Sequence, residues 1–458
     1  MGFTPTLAER RFGYGLSPRV SPPHSVEEML AALIGPDVMA SQFPVGTFRD
    51  LQEQHLLFDR FRRHARSQGD SAAGKASREK AQEIRRAAAR EHLQRFVQLQ
   101  LRRIATPDAF RERLAAFWAD HFTALGKSGL LTFASPLFIE DVIRPRMTGR
   151  FSDMLRAVAK HPLMLHALDQ DFSAGPGSVA GQRRGRGLNE NFARELLELH
   201  TLGVDGPYDQ VDVRALALLL TGLSRGRGFD FVFRPNFAEQ AGQIVLGRSY
   251  PAEISEARID KVLTDLALHP GTARHLARKL AVHFIADAPP TALVEAMTAA
   301  FLETDGDLLA VYRAMLMHPQ AWETPMRNLR RPDEFISTSL RALGPEADAL
   351  ERLKHGDIRG LFLQPLARMG QTWLRPAGPD GWSEQDAAWA TPQGLAGRLD
   401  WAMQVPRRLM AELPDPRDFV QTALGSAAPE RVAFAAQAAE SRAEAIGLVL
   451  ISPAMQRR

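Results

Sequence analysis

Apolar positions recur at helical spacing along most of this chain. Between Lys75 and Ile104 they fall at Ile84, Ala88, Leu93, Phe96 and Leu99, one stripe of a long helix. Ser25 with Glu28 three residues on is a capping-box pattern and opens a short helix before it. Thr106-Pro107 is expected to open the next helix, with proline at its first position, and that helix runs through Arg113–Phe122. Two helices are expected over 137–169. A Gly-rich stretch, Ser173–Gly187, holds three arginines and reads as a loop. It leads into a sharply bounded helix, Asn189–Leu202, which Asn189 caps and Gly203 closes. Another helix covers Gln210–Gly222. Helices resume over 256–268, 270–286, 290–303 and 306–317, and those over 392–412 and 429–451 finish the chain.

Only residues 229–250 carry a strand signal. Phe229, Phe231 and Phe233 alternate, and Ile244-Val245-Leu246 is expected to pair with them as a hairpin. The fold class is all-α: a large multi-helix domain with a small β-hairpin insertion. Three regions follow. Residues 1–104 hold N-terminal helices, including a basic helical arm. Residues 105–325 form a main helical domain with the Gly-rich loop, the polar helix 189–202 and the hairpin 229–250. Residues 326–458 form a C-terminal helical subdomain with a Trp- and Pro-rich loop over 365–392.

Composition changes this picture in few places. Across 458 residues, 57 Lys and Arg face 53 Asp and Glu, too even a balance to argue for nucleic acid. Residues 59–103 are locally basic, 13 Lys and Arg against 5 Asp and Glu. Such a run is either an arm for an acidic partner or a solvated helix face. With no cysteine, thiolate metal sites and cysteine nucleophiles are excluded. The first residues show no apolar signal region, and the longest aliphatic run is Ala215–Leu220, so a cytoplasmic protein is expected, or a periplasmic one exported with a partner. G-x-S-x-G, H-E-x-x-H and a strand-to-helix G-x-G-x-x-G are all missing, which leaves serine hydrolase, zincin and dinucleotide readings without support.

Several motifs belong together: RFGYG at 11–15, FWADHF at 117–122, LDQDFSAGPGS at 168–178 and GLNENFARELLELHTLGVDGPY at 187–208. HPGTARHLARKLAVHF at 269–284, GDLLAVYRAM at 306–315, and Trp382 with Trp389 complete the set. Through them the chain resembles, over nearly its whole length, the bacterial family catalogued as domain of unknown function 1800. The resemblance implies a mainly helical fold. It also implies a gene neighbourhood containing an exported protein related to the alkaline phosphatase superfamily, a candidate partner. It brings no catalytic residue. In the hairpin region the family commonly shows a His followed by an acidic residue, where this chain has Ala238-Glu239.

Candidate chemistry concentrates on the 189–202 helix. On a helical wheel Asn191, Glu195 and Glu198 fall within about 60° of one another, opposite the apolar residues. Arg194 stands one turn before Glu198 and can pair with it. His200 lands in the apolar arc, where a buried imidazole needs a hydrogen-bond partner. Carboxylates one turn apart with histidines nearby suit either a divalent metal or an acid–base pair. The expected catalytic set is therefore Glu195, Glu198, His200, Arg194 and Asp169. The expected metal set is Glu195, Glu198 and His121. A solvated face with an Arg194–Glu198 salt bridge is the plainer alternative. The loop 181–187 could hold an anion at a helix N-terminus or be a connector. Two functions follow: a metal-assisted or acid–base enzyme, such as a hydrolase on a cell-envelope or extracellular polymer, or a non-enzymatic partner of the exported neighbour.

Overall fold

A computed structural model describes residues 2–184, 187–323 and 325–458. Helix makes up 65% of the chain and strand 4%, so the all-α expectation holds. Eight helices position the site. They are α1 (Pro5–Phe12), α2 (Phe48–Gln68), α3 (Ala72–Ala105) and α4 (Ala109–His121), then α5 (Asn191–Glu195), α6 (Gln210–Leu220), α7 (Pro270–Phe284) and α8 (Pro332–Leu343). Among the described residues no helix is long and apolar enough to cross a membrane.

The basic region is a helical hairpin. Thr47 and Asp50 form a reciprocal capping box at the start of α2. Gly69, at φ 52°, turns the chain, and the Ser71 hydroxyl accepts from Gly74 N to start α3. The outer half of α3 presents Lys75, Arg78, Lys80, Arg85, Arg86 and Arg90 to solvent. Its last three turns turn inward and bury Leu93, Phe96, Val97, Leu101 and Ile104.

Proline does not sit inside α4 as expected. Asp108 is the N-cap, accepting from Arg111 N at 3.1 Å, and Pro107 precedes it. The short Asp side chain outcompetes proline for the start because it satisfies a free N–H. The 189–202 helix also differs. Glu190 takes the N-cap position expected of Asn189 and makes no side-chain cap bond, Asn189 Oδ1 instead accepting from Asn191 N at 2.9 Å from one residue earlier, and regular α-helix covers only α5. Leu196–Thr201 continues as a π-helical turn, closed by Gly203 at φ 88°.

The expected strand pairing is corrected. There are two hairpins: Leu223–Arg225 (β1) with Phe231–Phe233 (β2), and Gln243–Val245 (β3) with Arg248–Tyr250 (β4), both antiparallel. Phe229 is not in a strand. It sits at φ 60° in the turn that closes β1 on β2. Pro235 ends β2 in a 3-10 turn, so Phe231–Phe233 cannot run on to meet Ile244. Leu246 and Gly247, both at positive φ, make the tight turn between β3 and β4.

Among the described residues, buried apolar side chains gather into two large cores and one small cluster of Ala174, Ala180 and Phe237. The larger draws on residues from Leu7 to Trp322. The second joins Met39, Phe43 and Leu93–Ile104 to residues between Phe335 and Met455, including Trp373 and Trp401. Helix α8 lies at the seam, and the seam is ionic. Arg341, fully buried, donates to the carbonyls of Arg103, Ile104 and Thr106 at 2.9–3.1 Å, so a guanidinium caps the C-terminus of α3.

Candidate functional site

Five segments converge where α4 ends: Asp120 and His121 of α4; His275, Lys279 and His283 of α7; and the π turn with His200. Arg331 and Glu334 at the start of α8, and a strap over 378–386, complete them. Spacing by four residues puts the three α7 side chains on one face.

Glu334 anchors the inner end. Arg113 lies 2.5 Å away, Arg458 2.8 Å and Arg331 3.8 Å, all with side chains almost fully buried. Burial alone would raise its carboxyl, but Arg113, Arg458 and Arg331 override that and hold it well below the usual range. His283 lies beside this group with both ring nitrogens engaged. Arg113 Nη2 donates to Nε2 at 2.9 Å, so Nδ1 carries the proton and donates to Glu384 Oε1 at 2.7 Å. That tautomer is neutral, and burial with the neighbouring arginines keeps its pKa far below the histidine range.

The strap is tied down through Asp120. One carboxylate oxygen meets Arg331 at 2.7 Å, and the other accepts from Trp382 N at 2.9 Å. Gly381, at φ 80°, comes so close that a Cβ would lie 2.6 Å from the Asp120 carbonyl. Burial pushes the Asp120 carboxyl up to about 6, Arg331 opposing and Glu384 adding to it.

Lys279 occupies the middle. Its Nζ donates to His121 Nδ1 at 3.2 Å, and among the described residues no carboxylate comes within ion-pair distance of it. Burial lowers its pKa, while the fields of Asp120, Glu384 and Asp380 favour the charged form. His121 is pushed far down by burial and then by Lys279, His200 and His275. Its ring centroid stands 6.0 Å from that of His200 and 6.4 Å from that of His275. Neither ring nitrogen of His200 has a hydrogen-bond partner, and burial with Lys279 and His275 lowers its pKa to about 3.

The sequence-predicted residues divide. His121 and His200 meet at this centre. Glu195 and Glu198 lie on its outer side, half-buried, with Arg194 pairing Glu198 at 3.4 Å. Burial raises the Glu195 carboxyl, then Glu198 and Asp380, against Arg194. Asp169 is not brought in. Its backbone is left-handed at φ 57°, and its carboxylate pairs with Lys127 at 2.5 Å. Among the described residues no three His, Asp or Glu side chains stand together as a metal set, so Glu195, Glu198 and His121 do not converge as ligands. Sequence reasoning missed Lys279, His275, His283, Asp380 and Glu384. The His-x-x-x-Lys-x-x-x-His spacing of α7 was the available signal.

Residues expected to form a Gly-rich loop hold a short helix, Val179–Arg184, because Ser178 Oγ accepts from Gly181 N at 3.0 Å and starts it. Gly185 and Arg186 lie outside the described residues. Inside the stretch an anion is already present: Glu239 accepts from Gly177 N at 2.8 Å and from Gln240 and Ala241 N. Ala238 beside it is buried.

Compared with known proteins, residues 8–457 match a family model described as "Protein of unknown function (DUF1800)", which bears out the resemblance read from the motifs. No curated protein and no solved structure matches.

Proposed function

The chain belongs to the DUF1800 family, and from that premise we propose that it is an acid–base enzyme whose reactive pair is Lys279 and His121. One observation carries the reading: a partly buried amine that, among the described residues, has no ion pair and donates to an imidazole. A structural lysine at that depth would be paired. An unpaired one is held toward the neutral form, in which an amine takes up a proton or attacks an electrophile. Glu195, its carboxyl raised, is the complementary acid at the outer edge. Two groups displaced toward neutrality, one a base and one an acid, suit bond cleavage by proton transfer in both directions. A hydrolase on a cell-envelope or extracellular polymer is the substrate class that the family's gene neighbourhood suggests.

The test is competitive acetylation with trace acetic anhydride from pH 6 to 10, read by peptide mass spectrometry, beside a panel of ester, glycoside, amide and phosphoester substrates. Lys279 is expected to reach half-maximal reactivity at lower pH than exposed Lys75. Turnover of a panel substrate should be lost in folded Lys279→Met and Glu195→Gln variants. A Lys279 that titrates like Lys75, with turnover surviving both variants, rules the reading out.

The exposed basic face of the α2–α3 hairpin supports a second reading, a docking arm for an acidic partner such as the exported neighbour. Arg85 and Arg86 are solvent-exposed, and no ion pair involving either is found among the described residues. Reversing Arg85 and Arg86 to Glu is expected to abolish co-purification with that neighbour. Capture unaffected by the reversal removes the arm from consideration.

A further inference from the structure

Away from this centre, an open groove of about 520 Å³ follows the middle of α3. Neither Lys279 nor His121 lines it. Its floor is one face of the helix, made of two rows with a spacing of four residues: Ala87, Glu91 and Arg95, and beside them Arg90, Gln94 and Gln98. Val45 and His355 form part of its walls. Arg90 stands one turn past Arg86, so the groove continues the exposed basic face of the hairpin.

The one carboxylate in the lining is spent inside the protein. Glu91 accepts from Gln54 Nε2 on both oxygens, at 3.1 and 3.0 Å, and from Arg95 Nη2 at 3.3 Å. Arg95 is buried and also donates from Nε to the Val45 carbonyl at 3.1 Å. Its Nη1 is closed to solvent, so Arg95 gives the floor its charge and not a contact. The groups left to meet a ligand are the side chains of Arg90, Gln94, Gln98 and His355. Arg90 is exposed and the other three partly so, and among the described residues none of the four makes a hydrogen bond or an ion pair. A guanidinium and an imidazole suit a carboxylate. Two amides one helical turn apart each offer a donor and an acceptor, which is what an extended main chain needs. A single small anion would leave most of this space unfilled. Nucleic acid would call for aromatic platforms, and neither Phe, Tyr nor Trp lines the groove.

We propose that this groove receives an extended, Asp- or Glu-rich peptide segment of a partner protein, with Arg90 taking a carboxylate and Gln94 and Gln98 the main chain. The inference rests on the docking reading of the same helix and deepens it by naming the segment that docks and where it lies.

Fluorescence anisotropy of the full-length protein tests this with three fluorescein-labelled probes: hexaglutamate, hexaglutamine and a single-stranded oligothymidylate. Hexaglutamate is expected to bind saturably and the other two not. Arg90→Ala should weaken it about tenfold or more, the loss of one charge-assisted hydrogen bond. The double variant Gln94→Glu/Gln98→Glu, which puts two carboxylates on the floor at solvent-facing positions, should abolish binding, so the result does not hang on one substitution. Arg85→Glu/Arg86→Glu, outside the groove, should leave hexaglutamate binding within about threefold of the parent. A loss confined to that last variant overturns the groove while leaving the docking arm standing. Hexaglutamate binding that survives both groove variants, equal binding of hexaglutamine, tighter binding of the oligonucleotide, or no saturable binding of hexaglutamate also overturns the proposal.

Discussion

Replacing Glu334 by Gln keeps the volume and one acceptor oxygen, removes the charge, and turns the other oxygen into an NH2 donor that faces a guanidinium. What remains is Arg113 and Arg458, 2.5 and 2.8 Å away and almost wholly excluded from water, with Arg331 at 3.8 Å. At an effective dielectric near 20, each of these pairs is worth roughly 4–7 kcal/mol before desolvation. Removing one partner of a buried pair strands the other, and costs about 3–5 kcal/mol net. Arg331 keeps Asp120, so the penalty falls on Arg113 and Arg458. Against a total stability of about 5–15 kcal/mol, that is a large fraction. Urea unfolding at pH 7, followed by far-UV circular dichroism, measures it. The sign with pH is fixed by the depressed carboxyl: its contribution is complete above the unfolded value near ~4.3 and fades only as pH falls through the lower folded value. The penalty is therefore expected to be the same at pH 5.5 and pH 8. Adding Arg113→Met should recover part of the loss, because one stranded charge goes with it. A loss below about 1 kcal/mol, or a double variant less stable than the single one, would refute the ionic account of the seam.

Asp120 gives the opposite pH dependence. Its carboxyl is raised to about 6, so its contribution is fullest below the unfolded value near ~3.9 and is lost as pH rises through 6. Relative to Asp120→Asn, the parent should lose about 2 kcal/mol between pH 4 and pH 6.5, by urea titration at each pH; a flat difference contradicts the assignment. Gly177→Ala would place a Cβ 2.4 Å from Glu239 Oε1, forcing the carboxylate off its N–H donors. A loss of about 1–3 kcal/mol is expected, with thermal unfolding as the check, and an unchanged midpoint means the loop relaxes freely.

Much of the helical frame was legible because burial obeys the 3.6-residue period. His200 was placed on the buried side of its helix from spacing alone, and it is fully buried. The π turn after Glu195 was not legible. Over six residues a wider turn leaves the same apolar and polar order, and only the backbone hydrogen bonds tell them apart. The hairpins were mispaired because three alternating phenylalanines look like one strand, although Phe229 belongs to the turn before it. Asp169, just before the Gly-rich stretch, looked able to join Glu195, yet one left-handed residue sent it to Lys127. The ionic centre was beyond reach for a different reason. Asp120 meets Trp382 and Arg331 across 262 and 211 residues, and no local pattern encodes such partners.

The guanidinium cap on α3 has a consequence for how the chain assembles. Arg341 closes the last carbonyls of that helix from 235–238 residues downstream, and the apolar face of Leu93–Ile104 waits for the same segment. During synthesis, α3 therefore emerges long before anything that can cover it. Contacts of such sequence separation are entropically expensive to form and slow to appear. A ribosome-bound chain halted before α8 should show a sticky, frayed end on α3, a natural target for chaperones, and commitment to the native state should coincide with the arrival of α8.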